Sequence, residues 1–149
     1  MNKIKKTNAL YYRLMLVVAP AGSGKTTTLQ NVQEHVGAPV FNINLELSQQ
    51  MLDMTERQRA LQLSRLMRDI IKDTAGELVL FDNIEILFNV SLKQDPLKIL
   101  QGISRNKTVV ASWNGYIDGD NLIYAEPNHP EYRRYKIRDF LVVSPEVTP

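Results

Sequence analysis

Short apolar runs alternate with longer amphipathic segments along the chain. The apolar runs predict β-strands over residues 14–18, 39–43, 78–81, 108–112 and 140–143. The amphipathic and helix-permissive segments predict helices over residues 26–36, 55–72 and 95–104. This alternation is typical of a parallel β-sheet with crossover helices. We therefore expect a three-layer α/β fold in which residues 1–149 form a single domain.

The pattern changes after the fourth predicted strand. Turn-forming pairs occur at Asn114-Gly115, Asp118-Gly119 and Asp120-Asn121. They surround short β-rich pieces at residues 122–124 and 132–137. These two pieces predict a small β-hairpin inserted before the last strand of the sheet.

A glycine-rich loop follows the first predicted strand. Residues 19–26 read Ala-Pro-Ala-Gly-Ser-Gly-Lys-Thr, a phosphate-binding loop of the Walker A type with alanine where the first glycine usually stands. The glycines let backbone N–H groups turn toward the β- and γ-phosphates, the lysine adds positive charge, and the threonine hydroxyl can ligate Mg²⁺. We therefore expect ATP and Mg²⁺ as ligands, with the nucleotide held by Ala21, Gly22, Ser23, Gly24, Lys25, Thr26 and Thr27.

The third predicted strand ends in a carboxylate. Residues 78–82 read Leu-Val-Leu-Phe-Asp, a Walker B pattern in which an apolar strand delivers an aspartate to the Mg²⁺ site. The spacing from the phosphate loop is the usual one. We therefore expect Asp82 and Thr26 to form the metal side of the site.

Hydrolysis also needs a group that orients or deprotonates the attacking water. Many ATPases of this class place a glutamate directly after the Walker B aspartate, where this chain has Asn83. Two other glutamates could activate the water: Glu85, three residues on from the aspartate, and Glu46, at the end of the second predicted strand. If both are surface carboxylates, hydrolysis is slow or depends on a partner.

Asn114 follows the fourth predicted strand. Some ATPases have an extra strand between the phosphate-loop strand and the Walker B strand, and a polar residue at this place contacts the γ-phosphate. The arrangement resembles the AAA+ and related (ASCE) ATPases, which implies strand order 5-1-4-3-2 and a sensor role for Asn114. Otherwise Asn114 is a turn residue. We expect Trp113 to pack in the core rather than stack on a base.

Three arginines are candidates for a finger that stabilises charge on the transferring phosphoryl group. Arg105 lies just before the fourth predicted strand, while Arg133 and Arg134 lie in the predicted hairpin. The tyrosines near the last two could form a weak nucleic-acid surface, although a solvated hairpin capped by aromatic residues explains them as well. A finger supplied by a second copy or a partner would make the activity of an isolated protomer low.

A basic stripe follows one side of the predicted helix over residues 55–72. It consists of Arg57, Arg65, Arg68 and Lys72, which share one sector of the helical wheel. The stripe is either a solvated face or a docking surface for an acidic partner or a nucleic-acid backbone.

Composition excludes several kinds of site. There is no cysteine, which excludes a disulfide framework and a thiolate metal site. The two histidines are too few and too isolated for a histidine-based zinc site. The net charge of +2 is too small to indicate nucleic-acid binding by itself.

The apolar run near the start of the chain raises the question of a targeting segment. Three lysines precede it and Ala19-Pro20-Ala21 looks like a signal-peptidase site, but cleavage there would destroy the phosphate loop. No stretch approaches the roughly 20 apolar residues of a membrane span. We expect a soluble, cytoplasmic protein that makes no membrane contact.

Three further segments carry a more specific resemblance. They are Gln-Asp-Pro-Leu-Lys-Ile-Leu at residues 94–100, Ser-Arg-Asn-Lys-Thr at 104–108 and Tyr-Ala-Glu-Pro-Asn-His-Pro-Glu-Tyr-Arg at 124–133. With the phosphate loop, they make the chain resemble the BrxF family, small P-loop proteins of type 3 BREX anti-phage defence systems. The resemblance implies a role in phage defence beside a large ATPase, a DNA methyltransferase, a phosphatase-like protein and a helicase.

Three functions are compatible with these features. The first is an ATPase or ATP-operated switch that works with partner proteins or as a homo-oligomer. The second is a small-molecule kinase, since the same phosphate loop occurs in kinases, although the chain shows no acceptor-binding motif. The third is a scaffold that binds ATP without turnover.

Overall fold

The computed structural model of the protein describes residues 12–20 and 25–144. The strands are β1 (Leu14–Ala19), β2 (Val40–Asn42), β3 (Leu78–Asp82), β4 (Thr108–Asp118), β5 (Asn121–Tyr124), β6 (Arg133–Lys136) and β7 (Leu141–Val143). The helices are α1 (Lys25–Val36), α2 (Ile43–Gln50), α3 (Glu56–Ile71) and α4 (Pro96–Ser104). Two short 3₁₀ helices, Glu85–Phe88 and Val90–Leu92, follow β3.

The central sheet is parallel, with strand order β2-β3-β4-β1-β7. When the two hairpin strands are left out of the count, this is the predicted order 5-1-4-3-2. All six residues of β1 are buried, as expected of a strand covered on both faces. The carboxyl ends of β1, β3 and β4 therefore meet at one edge of the sheet, the place where α/β proteins bind ligands.

Helices cover both faces of the sheet. Alternate residues of β1 enter two separate cores, because successive side chains of a strand point to opposite faces. Leu16 belongs to the larger core, with α2, α3, α4 and the first 3₁₀ helix, whereas Val17 belongs to the smaller core with Leu29 of α1. The three-layer architecture is thereby confirmed. In the described part of the chain, no helix combines the length and the apolar character that crossing a bilayer requires.

Strand β4 continues well beyond its predicted end. It runs for 11 residues and leaves the parallel sheet to pair in antiparallel fashion with β5, which in turn pairs with β6. The predicted hairpin is confirmed as β5 and β6, but the predicted turn at Asn114-Gly115 is wrong, because both residues lie within β4. The chain turns at Gly119, where φ is +59°, so the turn predicted at Asp118-Gly119 is confirmed.

An aromatic cluster fixes β4 to the hairpin. It consists of Phe88, Trp113, Tyr124 and Tyr135. The ring of Phe88 stacks on that of Tyr124 with centroids 3.5 Å apart, and Trp113 meets the other three rings edge to face. The indole Nε1 of Trp113 donates to the carbonyl of Ile123 at 3.1 Å. Trp113 is thus a packing residue, as predicted.

The segment after β2 differs from the prediction. The strand ends at Asn42, whose side chain caps α2 by accepting a hydrogen bond from the backbone N–H of Leu45 at 3.1 Å. Asparagine at a helix N-cap satisfies a donor that the first turn leaves unpaired. Glu46 therefore lies in the first turn of α2, and its predicted location at the end of a strand is wrong.

Candidate nucleotide-binding site

Lys25 is the first residue of α1 and has only 6% of its surface exposed. Its Nζ donates to the carbonyl of Pro20 at 2.7 Å. Burial lowers the pKa of the ammonium group, while the negative charges of Glu85 and Asp82 act in the opposite direction. A desolvated cation at a helix N-terminus is well suited to bind phosphate. The other predicted loop residues, Ala21, Gly22, Ser23 and Gly24, lie outside the described residues, and Thr27 is exposed in the first turn of α1.

The carboxylate of Asp82 is fixed by three donors. The hydroxyl of Thr26 donates to Oδ2 at 2.7 Å, and the hydroxyl of Ser112 and the backbone N–H of Asn83 donate to Oδ1 at 2.9 and 3.0 Å. The structure therefore brings together the two residues predicted for the metal side. Ser112 was not predicted, although a buried serine in an otherwise apolar strand was a signal that could have been used.

Thr26 and Asp82 offer oxygen donors, which suit Mg²⁺. Among the described residues, there is no group of three or more acidic or histidine side chains that could hold a metal ion. Mg²⁺ is commonly bound through one or two carboxylates together with substrate phosphates. The arrangement fits a magnesium ion shared between these two side chains and a bound nucleotide.

The backbone brings Glu85 back toward the site after β3 has ended. Asn83 adopts a left-handed conformation with φ +53°, and the first 3₁₀ helix begins at Glu85. Oε1 of Glu85 accepts a hydrogen bond from Nδ2 of Asn114, and Oε2 accepts one from Nδ2 of Asn44 at 3.3 Å. Of the two predicted base candidates, Glu85 is thus the one that contacts the sensor candidate.

Asn44 was not predicted as a site residue. Its Oδ1 accepts a hydrogen bond from the N–H of Ile86 at 2.8 Å, and its backbone N–H donates to the carbonyl of Asn83 at 2.9 Å. These contacts join the start of α2 to the turn that carries Glu85. A polar residue directly after the predicted strand over residues 39–43 was a weak signal for it.

Asn114 lies beside the end of β1, paired in register with Ala19. This places its side chain at the carboxyl edge of the sheet, next to the segment that begins the predicted phosphate loop. The location is compatible with contact to a γ-phosphate, and the sensor role stays a prediction.

The three arginine candidates lie at the end of α4 and on β6. Arg105 is the C-cap of α4, near the start of β4. The six residue steps from Thr108 to Asn114 span about 20 Å, so Arg105 cannot contact a phosphate bound to its own chain. Arg133 donates to the carbonyl of Gln94 at 3.1 Å, and Arg134 pairs with Asp118 at 3.9 Å. A finger role for Arg105 is restricted to a second chain and stays a prediction.

Asp82→Asn is expected to remove the Mg²⁺ dependence of ATP binding, because it removes the charge that faces the Thr26 hydroxyl. Titration calorimetry with ATP in magnesium and in EDTA measures this dependence. Asp120→Asn is the matched control, since that carboxylate lies in the hairpin and pairs with Lys136 at 3.8 Å. Identical magnesium responses of the wild type and Asp82→Asn would show that Asp82 is not a metal-side residue.

Comparison with known families agrees with the fold. Residues 15–110, more than half of the chain, match the family model for the ATPase family associated with various cellular activities (AAA). No curated protein matches. A solved structure titled "Structure of C. elegans PCH-2" aligns with a TM-score of 0.40 and 18% identity, over 72% of this chain and 31% of that one. The chain therefore spans about a third of the length of that structure. The protein described here belongs to the AAA family of ATPases, which bind ATP.

Proposed function

We propose that this protein hydrolyses ATP, with Glu85 as the general base. The observation that supports this most strongly is the arrangement of Glu85. Its carboxylate lies close enough to Lys25 to influence that residue's pKa, and amides from two other elements hold it in place. A carboxylate that neighbouring amides orient beside a phosphate-binding lysine can act as a general base on a water within hydrogen-bond reach.

The proposed reaction divides the work among residues of the described site. Lys25 neutralises charge on the phosphates, and Thr26 and Asp82 would hold Mg²⁺, which supplies further charge neutralisation when bound. Glu85 accepts a proton from the attacking water. The water oxygen forms a bond to the γ-phosphorus, the bond from that phosphorus to the bridging oxygen breaks, and ADP leaves with the bridging oxygen.

The two amides explain how Glu85 could respond to the nucleotide. Both carboxylate oxygens of Glu85 accept hydrogen bonds from these amides, so each oxygen already has a partner where a water could bind. Asn114 lies next to β1, so its amide can turn from Glu85 to a γ-phosphate. This change frees Oε1 of Glu85, and Asn44 continues to orient the other oxygen.

The proposal is tested by comparing Glu85→Gln with Glu46→Gln. Loss of a general base reduces rates by roughly 10²–10⁴-fold, so we expect Glu85→Gln to release phosphate slower by that factor while binding ATP normally. Glu46→Gln, in the first turn of α2, is the matched control and is expected to keep the wild-type rate. A slow Glu46→Gln with a normal Glu85→Gln would assign the base to Glu46. Equal rates in all three proteins would overturn the proposal.

We further propose that the ATPase acts in a type 3 BREX phage-defence system, with that system's large ATPase, methyltransferase, phosphatase-like protein and helicase as partners. The support is the sequence resemblance over residues 94–100, 104–108 and 124–133. Two contacts connect the first and last of these segments. Arg133 donates to the carbonyl of Gln94, and the hydroxyl of Tyr135, two residues beyond the last segment, donates to Asp95 at 2.8 Å. Part of the shared pattern therefore stabilises the fold. The arginine finger would come from a second copy of the chain, through its Arg105, or from a partner protein.

A further inference from the structure

A groove of about 430 Å³ lies between α3 and α4. Arg68 lines it on the side of α3. Lys98, Ile99 and Ile103 line it on the side of α4, and Arg105 lies at the C-terminal end of that helix. The groove, called here the α3–α4 groove, shares none of its described lining residues with the Lys25, Asp82 and Glu85 cluster. Of these lining residues, only Arg105, the finger candidate for a second copy, has a role in the proposed reaction.

The charge of the α3–α4 groove is predominantly positive. Arg68, Lys98 and Arg105 are exposed along it. Asp95 is the carboxylate among the described lining residues, and it already accepts hydrogen bonds from the N–H groups of Leu97 and Lys98 and from a tyrosine hydroxyl. Within the part of the chain that the structure describes, neither Arg68 nor Lys98 forms an ion pair. The groove therefore favours an anionic ligand.

The residues of the basic stripe predicted on α3 have different surroundings. Arg65 pairs with Asp69 at 3.2 Å, one turn further along the helix. Arg57 lies near Lys93 in a different depression. Of the stripe, Arg68 is the residue that lines the α3–α4 groove, where it joins cations from a second helix.

The shape and lining of the groove favour a peptide over a nucleic acid. Ile99 and Ile103 are nearly buried and provide an apolar floor, and Gln94 and Asn106 add carboxamide groups. A phosphodiester backbone uses cations but gains little from apolar floor residues. Among the described lining residues there is no aromatic side chain on which a base could stack, the usual platform for single strands.

We propose that the α3–α4 groove binds an acidic amphipathic segment of a partner protein. Lys98 and Arg105 are seven residues apart on or at the end of α4, which is about 10 Å along the axis. Acidic residues at the same spacing on a partner helix would meet both cations. Aliphatic residues between them would contact Ile99 and Ile103, as in other helix-in-groove complexes. The proposal does not depend on ATP hydrolysis.

The test uses a displayed library of random peptides. The library is selected on the wild-type protein and depleted on an Arg68→Glu, Lys98→Glu double variant. We expect the surviving peptides to combine acidic residues with leucine or isoleucine. A synthetic, fluorescein-labelled copy of a surviving peptide is then titrated by anisotropy, and its affinity should fall about tenfold or more in the double variant.

Two controls separate the groove from general electrostatics. Arg57→Glu reverses an exposed charge on the same helix outside the groove and is expected to leave the affinity within about twofold of the wild type. A copy of the peptide with glutamine in place of glutamate should bind at least as weakly as the original peptide binds the double variant. If circular dichroism shows that the double variant is unfolded, an Arg68→Gln, Lys98→Gln variant is used in its place.

Three outcomes would overturn the proposal. The surviving peptides could show no acidic enrichment, or Arg57→Glu could weaken binding as much as the double variant does. In the third, a single-stranded DNA oligonucleotide binds the wild type and loses its affinity in the double variant, while the peptides do not bind. That result would assign the groove to a nucleic acid instead.

Discussion

Lys25→Ala is expected to weaken ATP binding by a factor of about 100 or more, because hydrogen bonds to charged groups contribute about 1.5–3 kcal/mol each and a lysine can donate several to phosphates. The substitution also leaves the carboxylates of Asp82 and Glu85 facing the ligand without the cation that balances them. Titration calorimetry with ATP and magnesium measures the loss. Lys72→Ala, an exposed lysine at the end of α3, is the matched control.

The same variant is expected to stay folded. Burial lowers the pKa of Lys25, so the charged form is less stable in the folded protein than in the unfolded chain. Removing the charge at neutral pH therefore does not destabilise the fold, and the wild type gains stability relative to the variant as the pH rises toward the ordinary lysine value. Equal ATP affinities would show that Lys25 is not part of the site. Phage resistance can also be measured in a host that carries the complete defence system. If Lys25→Ala left that resistance unchanged, the result would count against the proposed biological role but not against ATP binding.

Gly115→Ala is expected to be the most destabilising small substitution in the hairpin region. A Cβ at this position would lie 1.9 Å from the carbonyl oxygen of Ile123 and 3.0 Å from Nε1 of Trp113. The obstacle is mainly backbone, and moving it would break the pairing of Gly115 with Tyr124 and the indole hydrogen bond. Overpacking costs about 1–3 kcal/mol, and an unsatisfied buried donor adds about 1–3 kcal/mol.

Thermal unfolding followed by circular dichroism measures this effect. For a protein of this size each kcal/mol lowers Tm by roughly 2–4 °C, so we expect a decrease of about 10 °C. Gly102→Ala is a control of opposite sign: it lies within α4, an added Cβ meets no atom within 4 Å, and alanine is the better helix former. A Gly115→Ala protein that melts at or above the wild-type temperature would contradict the close approach of β4 to β5.

The inner strands of the sheet could be predicted because they are buried on both faces. They give continuous apolar runs at residues 14–19, 78–81 and 109–111, and such runs are easily recognised. Helix α2 could not be predicted in the same way. It is short and buries only Ile43 and Leu47, which leaves too few apolar positions to show helical periodicity.

The same distinction applies to the candidate site: some of its residues could be predicted from local sequence, and others could not. Lys25, Thr26 and Asp82 belong to contiguous motifs, so they could be identified locally. The choice between Glu85 and Glu46 could not, because it depends on the left-handed backbone of Asn83 and on where α2 begins. The contact from Asn44 to Glu85 joins residues 41 positions apart, and no local pattern carries that information.

Strand β4 has a mechanical consequence. Along one uninterrupted strand, Ser112 touches Asp82, Asn114 touches Glu85, and the following residues pair with β5. No loop between these points can absorb a displacement. A shift of Asn114 therefore moves the outer end of the strand, where Tyr116 and Ile117 are exposed. A molecule bound at this end of the hairpin would sense such a displacement without contacting the nucleotide.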